Sequence, residues 1–202
     1  MNAYRTHNCG ELRKEDIGKT VKIAGWVQGN RNLGGLVFLD IRDQYGLTQA
    51  VTSGESELVD EVSRIPTEST VSLEGIVQHR AEEATNKNMP TGEVEILINK
   101  IEVLGKRTQI MPFEVNSEIE AREDLRLQYR FLDLRNEKLK NNILLRAKVI
   151  QFLREQMIER GFTEVQTPIL TSSSPEGARD YLVPSRVHPR KILCFATSTT
   201  AI

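Results

Sequence analysis

Apolar and polar positions alternate over 21–27, where Val21, Ile23, Gly25 and Val27 stand against Lys22, Ala24 and Trp26. A period of two predicts a β-strand with one apolar face. The segment QGNRNLGG follows, and its adjacent glycines permit the positive φ of a turn. Leu36–Arg42 and Leu47–Thr52 read as two further strands joined by a tight turn at 43–46. The spacing of Leu58, Val62 and Ile65 predicts a short helix over 55–64, stopped by Pro66. Thr70–Val77 and Val94–Val103 are the fourth and fifth strands, separated by the polar stretch HRAEEATNKNMPTG at 79–92. Five short strands cannot bury an apolar face unless they curl and close. The order of three strands, a helix and two strands is that of a five-stranded all-β OB-fold barrel.

Periodicity is lost over 105–124, which reads as a linker. The run RLQYRFLDLR at 126–135 is dense in arginine and aromatic residues. Its arginines suit either phosphate contacts or an ion-pair network at an interface, and the interleaved Asp133 favours the network. Leu139, Ile143, Ala147, Ile150, Leu153 and Met157 then recur at three- and four-residue spacing, an amphipathic helix over 139–160. Gly161 suits its left-handed C-terminal turn. A short strand is expected at 162–166 before Pro168, opening an α+β unit.

Composition refines this picture only modestly. The chain has 202 residues, 39% hydrophobic and 27% charged, with a formal net charge of -1. A non-specific basic nucleic-acid binder is excluded, so an RNA partner would be read by stacking and a few placed polar groups. No apolar run approaches the roughly 18 residues of a membrane span. The start of the chain has no apolar signal segment, so the cytoplasm is the expected compartment. Cys9 and Cys194 match no metal or redox pair, and His7, His79 and His188 have no ligand spacing, so no metal site is expected. Neither a GxSxG elbow nor a phosphate-binding P-loop is present.

Candidate chemistry falls in two places. In the barrel, Arg31, Phe38, Gln49, Asn86 and Glu93 have the groups that stack on or bond single-stranded bases. Phe38 also fits the core, and pattern alone favours the core. Trp26 reads as packing. In the second unit, TSSSPEGARD at 171–180 combines hydroxyls, Glu176 and Arg179. It suits either a solvated turn or a grip on an amino acid's ammonium and carboxylate.

Three stretches together carry a resemblance: GWVQGNRNLGGLVFLDIRDQYGLTQ, RLQYRFLDLR and FTEVQTPILTSSSPEGARDYLVPSR. They resemble the bacterial aspartyl-tRNA synthetases, which are class II synthetases, over residues 4–189. The resemblance implies an OB-fold anticodon-binding domain at 1–107 and a hinge at 108–135. It implies the start of an antiparallel α+β catalytic domain at 136–189, containing the dimer-forming motif 1. Arg31, Phe38 and Gln49 fall at anticodon-contacting positions, with Phe38 as a stacking platform. Asn86 and Glu93 fall near the anticodon. Glu176 falls at a loop glutamate that closes over the amino acid.

The family joins aspartate to tRNA using ATP and Mg2+, as a homodimer. The 28–32 segment QGNRN carries fewer arginines than in many relatives, which implies fewer phosphate contacts. Beyond Pro189 the segment RKILCFATSTTAI departs from the family, and 190–202 reads as an aberrant tail from a frame shift or fusion. The catalytic arginines of motifs 2 and 3 have no counterpart here. The expectation is therefore a truncated ligase that keeps anticodon binding, has no catalytic residue and binds no cofactor itself. The alternative is a stand-alone RNA-binding barrel.

Overall fold

The computed structural model describes residues 3–54, 56–117, 120–166, 168–171 and 181–195. The chain divides into two compact units, 1–135 and 136–202.

The first unit is a closed barrel. Its strands are β1 (Thr20–Leu33), β2 (Leu36–Arg42), β3 (Leu47–Val51), β4 (Thr70–His79) and β5 (Val94–Gly105). They run in the order β1-β2-β3-β5-β4, and β4 returns to β1. β1 is twice as long as its alternating segment because it serves two neighbours. Thr20–Trp26 pairs with β4 and Trp26–Leu33 pairs with β2, with a bulge between Val27 and Gly29. The parallel pairing of Ala50 with Ile96 completes the ring.

Burial follows the alternation. Ile23 and Val27 of β1, Val37, Leu39 and Ile41 of β2, and Leu73 and Val77 of β4 point into one core. The helix α1 (Leu58–Ser63) adds Val62 to it, and Ile65 follows just beyond. Asn30 Nδ2 donates to the carbonyls of Val62 and Ile65 at 2.9 Å each, tying the end of α1 to β1. Such a core supplies most of the stability, since each buried aliphatic side chain removed costs about 2–5 kcal/mol.

Residues 108–135 pack within this first unit. The short helices α2 (Glu123–Gln128) and α3 (Arg130–Asp133) bring Arg126 Nε and Arg130 Nη1 onto the buried Asp133 carboxylate at 2.9 and 2.5 Å. Arg135 Nη1 reaches Glu68 at 2.9 Å, and Glu68 also lies 2.7 Å from Arg42. The Arg42 contact, from Nη2 to Glu68 Oε1, is a buried ion pair. Both guanidiniums lie over the Trp26 ring, at 5.9 and 4.5 Å from its centre. Glu68 adopts φ 64°, an uncommon conformation for a residue with a side chain. The arginine-rich run is thus an ion-pair network, and Trp26 packs against arginines.

The second unit contains α4 (Glu137–Glu159), capped by Asn136 Oδ1 accepting from the Leu139 amide at 3.3 Å. It ends in a Schellman turn. Gly161 has φ 87°, its amide donates to the Ile158 carbonyl, and the Phe162 amide donates to the Met157 carbonyl. The strand expected at 162–166 does not form. Residues 162–166 carry no regular secondary structure, and no strand among the described residues pairs with them.

Instead β6 (Leu170–Thr171), β7 (Leu182–Pro184) and β8 (Ile192–Phe195) make an antiparallel sheet in the order β6-β8-β7. The segment read as a patternless tail therefore contributes the central strand of this sheet. The run Ile192-Leu193-Cys194-Phe195 is short but made of good strand formers, and Cys194 is buried.

Gly75 sits at a bulge where β4 meets β5, and a methyl there would run into the Leu97 carbonyl and the Ile96 side chain. Gly75→Ala is expected to destabilise the barrel by about 1–3 kcal/mol, read as a lower urea midpoint. No residue of α4 is buried. Its amides should exchange with deuterium faster than those of β1–β5, whose exchange requires opening the core. Equal protection of the two regions would contradict this.

Candidate nucleic-acid interface

Because Val37, Leu39 and Ile41 point inward, Phe38 and Asp40 of β2 face outward. Phe38 is half-buried and sits opposite Arg31 of β1 and Val51 of β3. The core assignment that pattern favours for this ring is corrected by barrel closure: a ring on this strand parity cannot enter the core.

Asp40 sits opposite Gln49 of β3. The parallel β3–β5 register and the antiparallel β5–β4 register extend the same row to Glu95 and Gln78. The outer face thus carries a polar row of Asp40, Gln49, Glu95 and Gln78. Beside it runs a less polar row of Phe38, Val51 and Leu97.

Hydrogen bonds knit the polar row together. Arg31 Nη2 donates to both Asp40 oxygens at 3.1 and 3.0 Å, and reaches Gln49 Oε1 at 3.4 Å. Gln49 Nε2 donates to Glu95 Oε2 at 2.9 Å, and Gln78 Nε2 to Glu95 Oε1 at 2.8 Å. Arg80 follows β4 and is buried, with its Nε 3.9 Å from Glu95 Oε2. Its Nε and Nη2 have no hydrogen-bond acceptor.

Burial lowers the Arg80 pKa, against the pull of Glu95 and Asp40. Burial likewise raises that of Asp40, against the pull of Arg31 and Arg80. Both charges are therefore kept at some cost, and each keeps an opposite charge close.

Three of the barrel residues singled out by sequence, Arg31, Phe38 and Gln49, come together on this face. Asn86 and Glu93 do not join their network. Asn86 is exposed in the 80–93 connection, where its Oδ1 accepts from the Asn88 amide at 3.0 Å and its backbone shapes the turn. Glu93 is half-exposed and pairs with Lys14 at 2.7 Å. Glu176 lies outside the described residues.

Sequence reasoning passed over Asp40, Gln78, Arg80 and Glu95. The alternation Val94-Glu95-Ile96 carries a usable signal, because it puts Glu95 outward between two inward residues. Among the described residues, no group of three or more His, Cys, Asp or Glu is placed to hold a metal ion. None of their helices is long and apolar enough to cross a membrane.

A closed five-stranded barrel with an aromatic ring and hydrogen-bonding groups on its outer face, followed by a separate α+β unit, defines a class. It is a nucleic-acid-binding OB-fold joined to the beginning of a class II synthetase domain. Residues 21–104 match the OB-fold nucleic acid binding domain, and residues 122–200 match the class II tRNA synthetases (D, K and N), a match that continues past Arg190. An aspartate–tRNA(Asp/Asn) ligase of Rickettsia bellii is 53% identical over 192 residues, which is 95% of this chain and 32% of that protein. The corresponding ligase of Phenylobacterium zucineum is 52% identical over 191 residues.

Among solved structures, asparaginyl-tRNA synthetase from Pyrococcus horikoshii, complexed with asparaginyl-adenylate, superposes with a TM-score of 0.78. It is 30% identical, over 95% of this chain and 42% of that one. Aspartyl-tRNA synthetase from Entamoeba histolytica, at 24% identity, shares the fold with a TM-score of 0.75 over 87% of this chain and 43% of that one. The chain belongs to the aspartate–tRNA ligase family, and it spans about a third of the length of the curated relatives it matches.

Glu95 is the common partner of Gln49, Gln78 and the buried Arg80. Glu95→Ala is expected to cost about 1–3 kcal/mol of stability, because it strands those donors. Chemical denaturation checks this, and a midpoint equal to that of the wild type would refute it.

Proposed function

We propose that the barrel binds the anticodon loop of tRNA, as the RNA-reading module of an aspartate–tRNA ligase. The observation that carries this is the outward Phe38 ring lying one row from the Gln49–Glu95–Gln78 hydrogen-bonding groups. Bases of a single-stranded loop offer a face to stack and an edge to bond, and this surface supplies both functions side by side. Arg31 and Gln49 act with Phe38 in contacting the loop. Asn86 and Glu93 contact the loop from the connection that precedes β5, outside this hydrogen-bonded row. The relatives named for both aspartate and asparagine tRNAs support testing both loops.

The whole protein, in this reading, activates aspartate with ATP and Mg2+ and transfers it to the tRNA 3′ end in the cytoplasm. ATP supplies the phosphoanhydride energy that activates the carboxylate. The described side chains of this chain do not form a set that fits Mg2+, so no nucleotide-dependent step is assigned to them. Residues 1–107 serve as the anticodon-binding domain, 108–135 as the hinge and 136–189 as the start of the catalytic domain, with Glu176 contacting the amino acid. α4 exposes Ile143, Val149, Phe152 and Leu153, which supports its use in a homodimer interface.

Fluorescence anisotropy with labelled anticodon stem-loops of tRNA(Asp) and tRNA(Asn) tests the RNA reading. Saturable binding is expected, weakened by Phe38→Ala by about 1–3 kcal/mol, the worth of one base–aromatic stack. Equal affinity for a stem-loop of scrambled loop sequence, or an unchanged affinity of the variant, would overturn it.

A further inference from the structure

Arg31 is a long side chain near the end of β1, 55% exposed, just ahead of the Gly34–Gly35 turn. Such a guanidinium left to itself samples many rotamers, and fixing it on binding costs affinity. Here both oxygens of Asp40 hold one of its nitrogens, at 3.1 and 3.0 Å. Asp40 is itself confined. It is flanked by Phe38 and Gln49 on the outer face, and it sits where β1 bulges at Gly29. A Cβ added to Gly29 would lie 2.8 Å from Asp40 Oδ2, so the glycine leaves the space that the carboxylate fills.

We infer that Asp40 is a positioning residue for RNA binding, aiming Arg31 across the Phe38–Gln49 face so that the arginine meets the loop already ordered. This inference rests on the anticodon-loop reading above. A carboxylate repels phosphates, and both Asp40 oxygens are taken up by Arg31 rather than left to accept from a base edge, so what Asp40 contributes to binding runs through the arginine.

Stability does not supply that role. Burial raises the Asp40 pKa. A raised carboxylate pKa means that the folded state favours the protonated form. The ionised group therefore detracts from stability once the pH exceeds that pKa. An asparagine of the same shape should fold at least as well while holding Arg31 less firmly.

The test is a double-mutant cycle on the full chain at one fixed salt concentration, with the tRNA(Asp) anticodon stem-loop as probe. Asp40→Asn is expected to weaken binding about three- to tenfold, the cost of ordering one long side chain. The same substitution in an Arg31→Ala background is expected to change nothing. The melting temperature of Asp40→Asn should equal or exceed that of the wild type.

An equal loss in both backgrounds, tighter or unchanged binding by Asp40→Asn, or a fall in melting temperature would each overturn the inference. NMR relaxation of the Arg31 Nε–Hε group gives a readout without RNA. The group should be ordered in the wild type and mobile in Asp40→Asn, and unchanged order would overturn the link between the two residues. Failure of the wild-type chain to bind the stem-loop would instead sink the anticodon reading, with the NMR result still deciding what Asp40 does to Arg31.

Discussion

The first unit depends on one constraint: β1 must hydrogen-bond to two different strands along its length. Only a bulged, strongly coiled strand can do this, and the break in register between Val27 and Gly29 provides the bend. Once β1 has turned from β4 to β2, the remaining strands have one way to close, through the parallel contact of β3 with β5. Closure then fixes which face of every strand is inside. The outward direction of Phe38, Asp40, Gln49 and Glu95 is a consequence of barrel geometry rather than of their individual polarity. An aromatic ring on the wrong parity stays outside, however apolar it is.

What lies on that outer face is costly. Asp40 and Arg80 both have pKa values displaced by burial toward their neutral forms, and Arg80 keeps nitrogens without acceptors. Replacing such groups with apolar residues of similar volume is often neutral or favourable for folding. The aliphatic core of Ile23, Leu39, Leu73 and their neighbours supplies the stability that carries the cost. An apolar replacement of the whole network would serve folding as well, whereas removal of one partner strands the others, which is the ground on which the proposed recognition role rests.

Much of the architecture was legible in sequence because the barrel strands alternate cleanly and their turns carry glycine or tight polar pairs. All five strands and α1 exist where the pattern puts them, but β1 continues to Leu33 through the segment read as a loop, because residues 29–33 pair with β2. The site was legible in part. Arg31, Phe38 and Gln49 lie on consecutive hairpin strands, whose registers the short turns at Gly34–Gly35 and 43–46 set. Glu95 and Gln78 reach the same row only through the β3–β5 pairing, which joins segments more than forty residues apart, and no local pattern reports such a contact. Two residues away, Glu93 has the same chemistry but lies before the strand, paired to Lys14. In the second unit, residues 162–166 had strand character but found no partner strand. Ile192–Phe195 had four suitable residues and became the centre of a sheet, because pairing partners rather than propensity decide short strands.

The unit uses the same ingredients twice, with opposite results. At Trp26, two guanidiniums lie over the ring, and the Glu68 carboxylate ties both of them to the barrel. Ring, cations and anion balance one another in charge, although Arg42 Nη1 and Nη2 are buried without a hydrogen-bond acceptor. At Phe38, the guanidinium of Arg31, its cross-strand neighbour, is held by Asp40, and among the described residues no cation lies over the ring. Phe38 is half-buried there, and the local charges, Arg31 and Arg80 against Asp40 and Glu95, nearly cancel. With a formal net charge of -1 for the whole chain, general attraction to phosphate is weak. If the face binds RNA as proposed, affinity there has to come from stacking and from base-edge hydrogen bonds, the two contributions that distinguish one loop sequence from another.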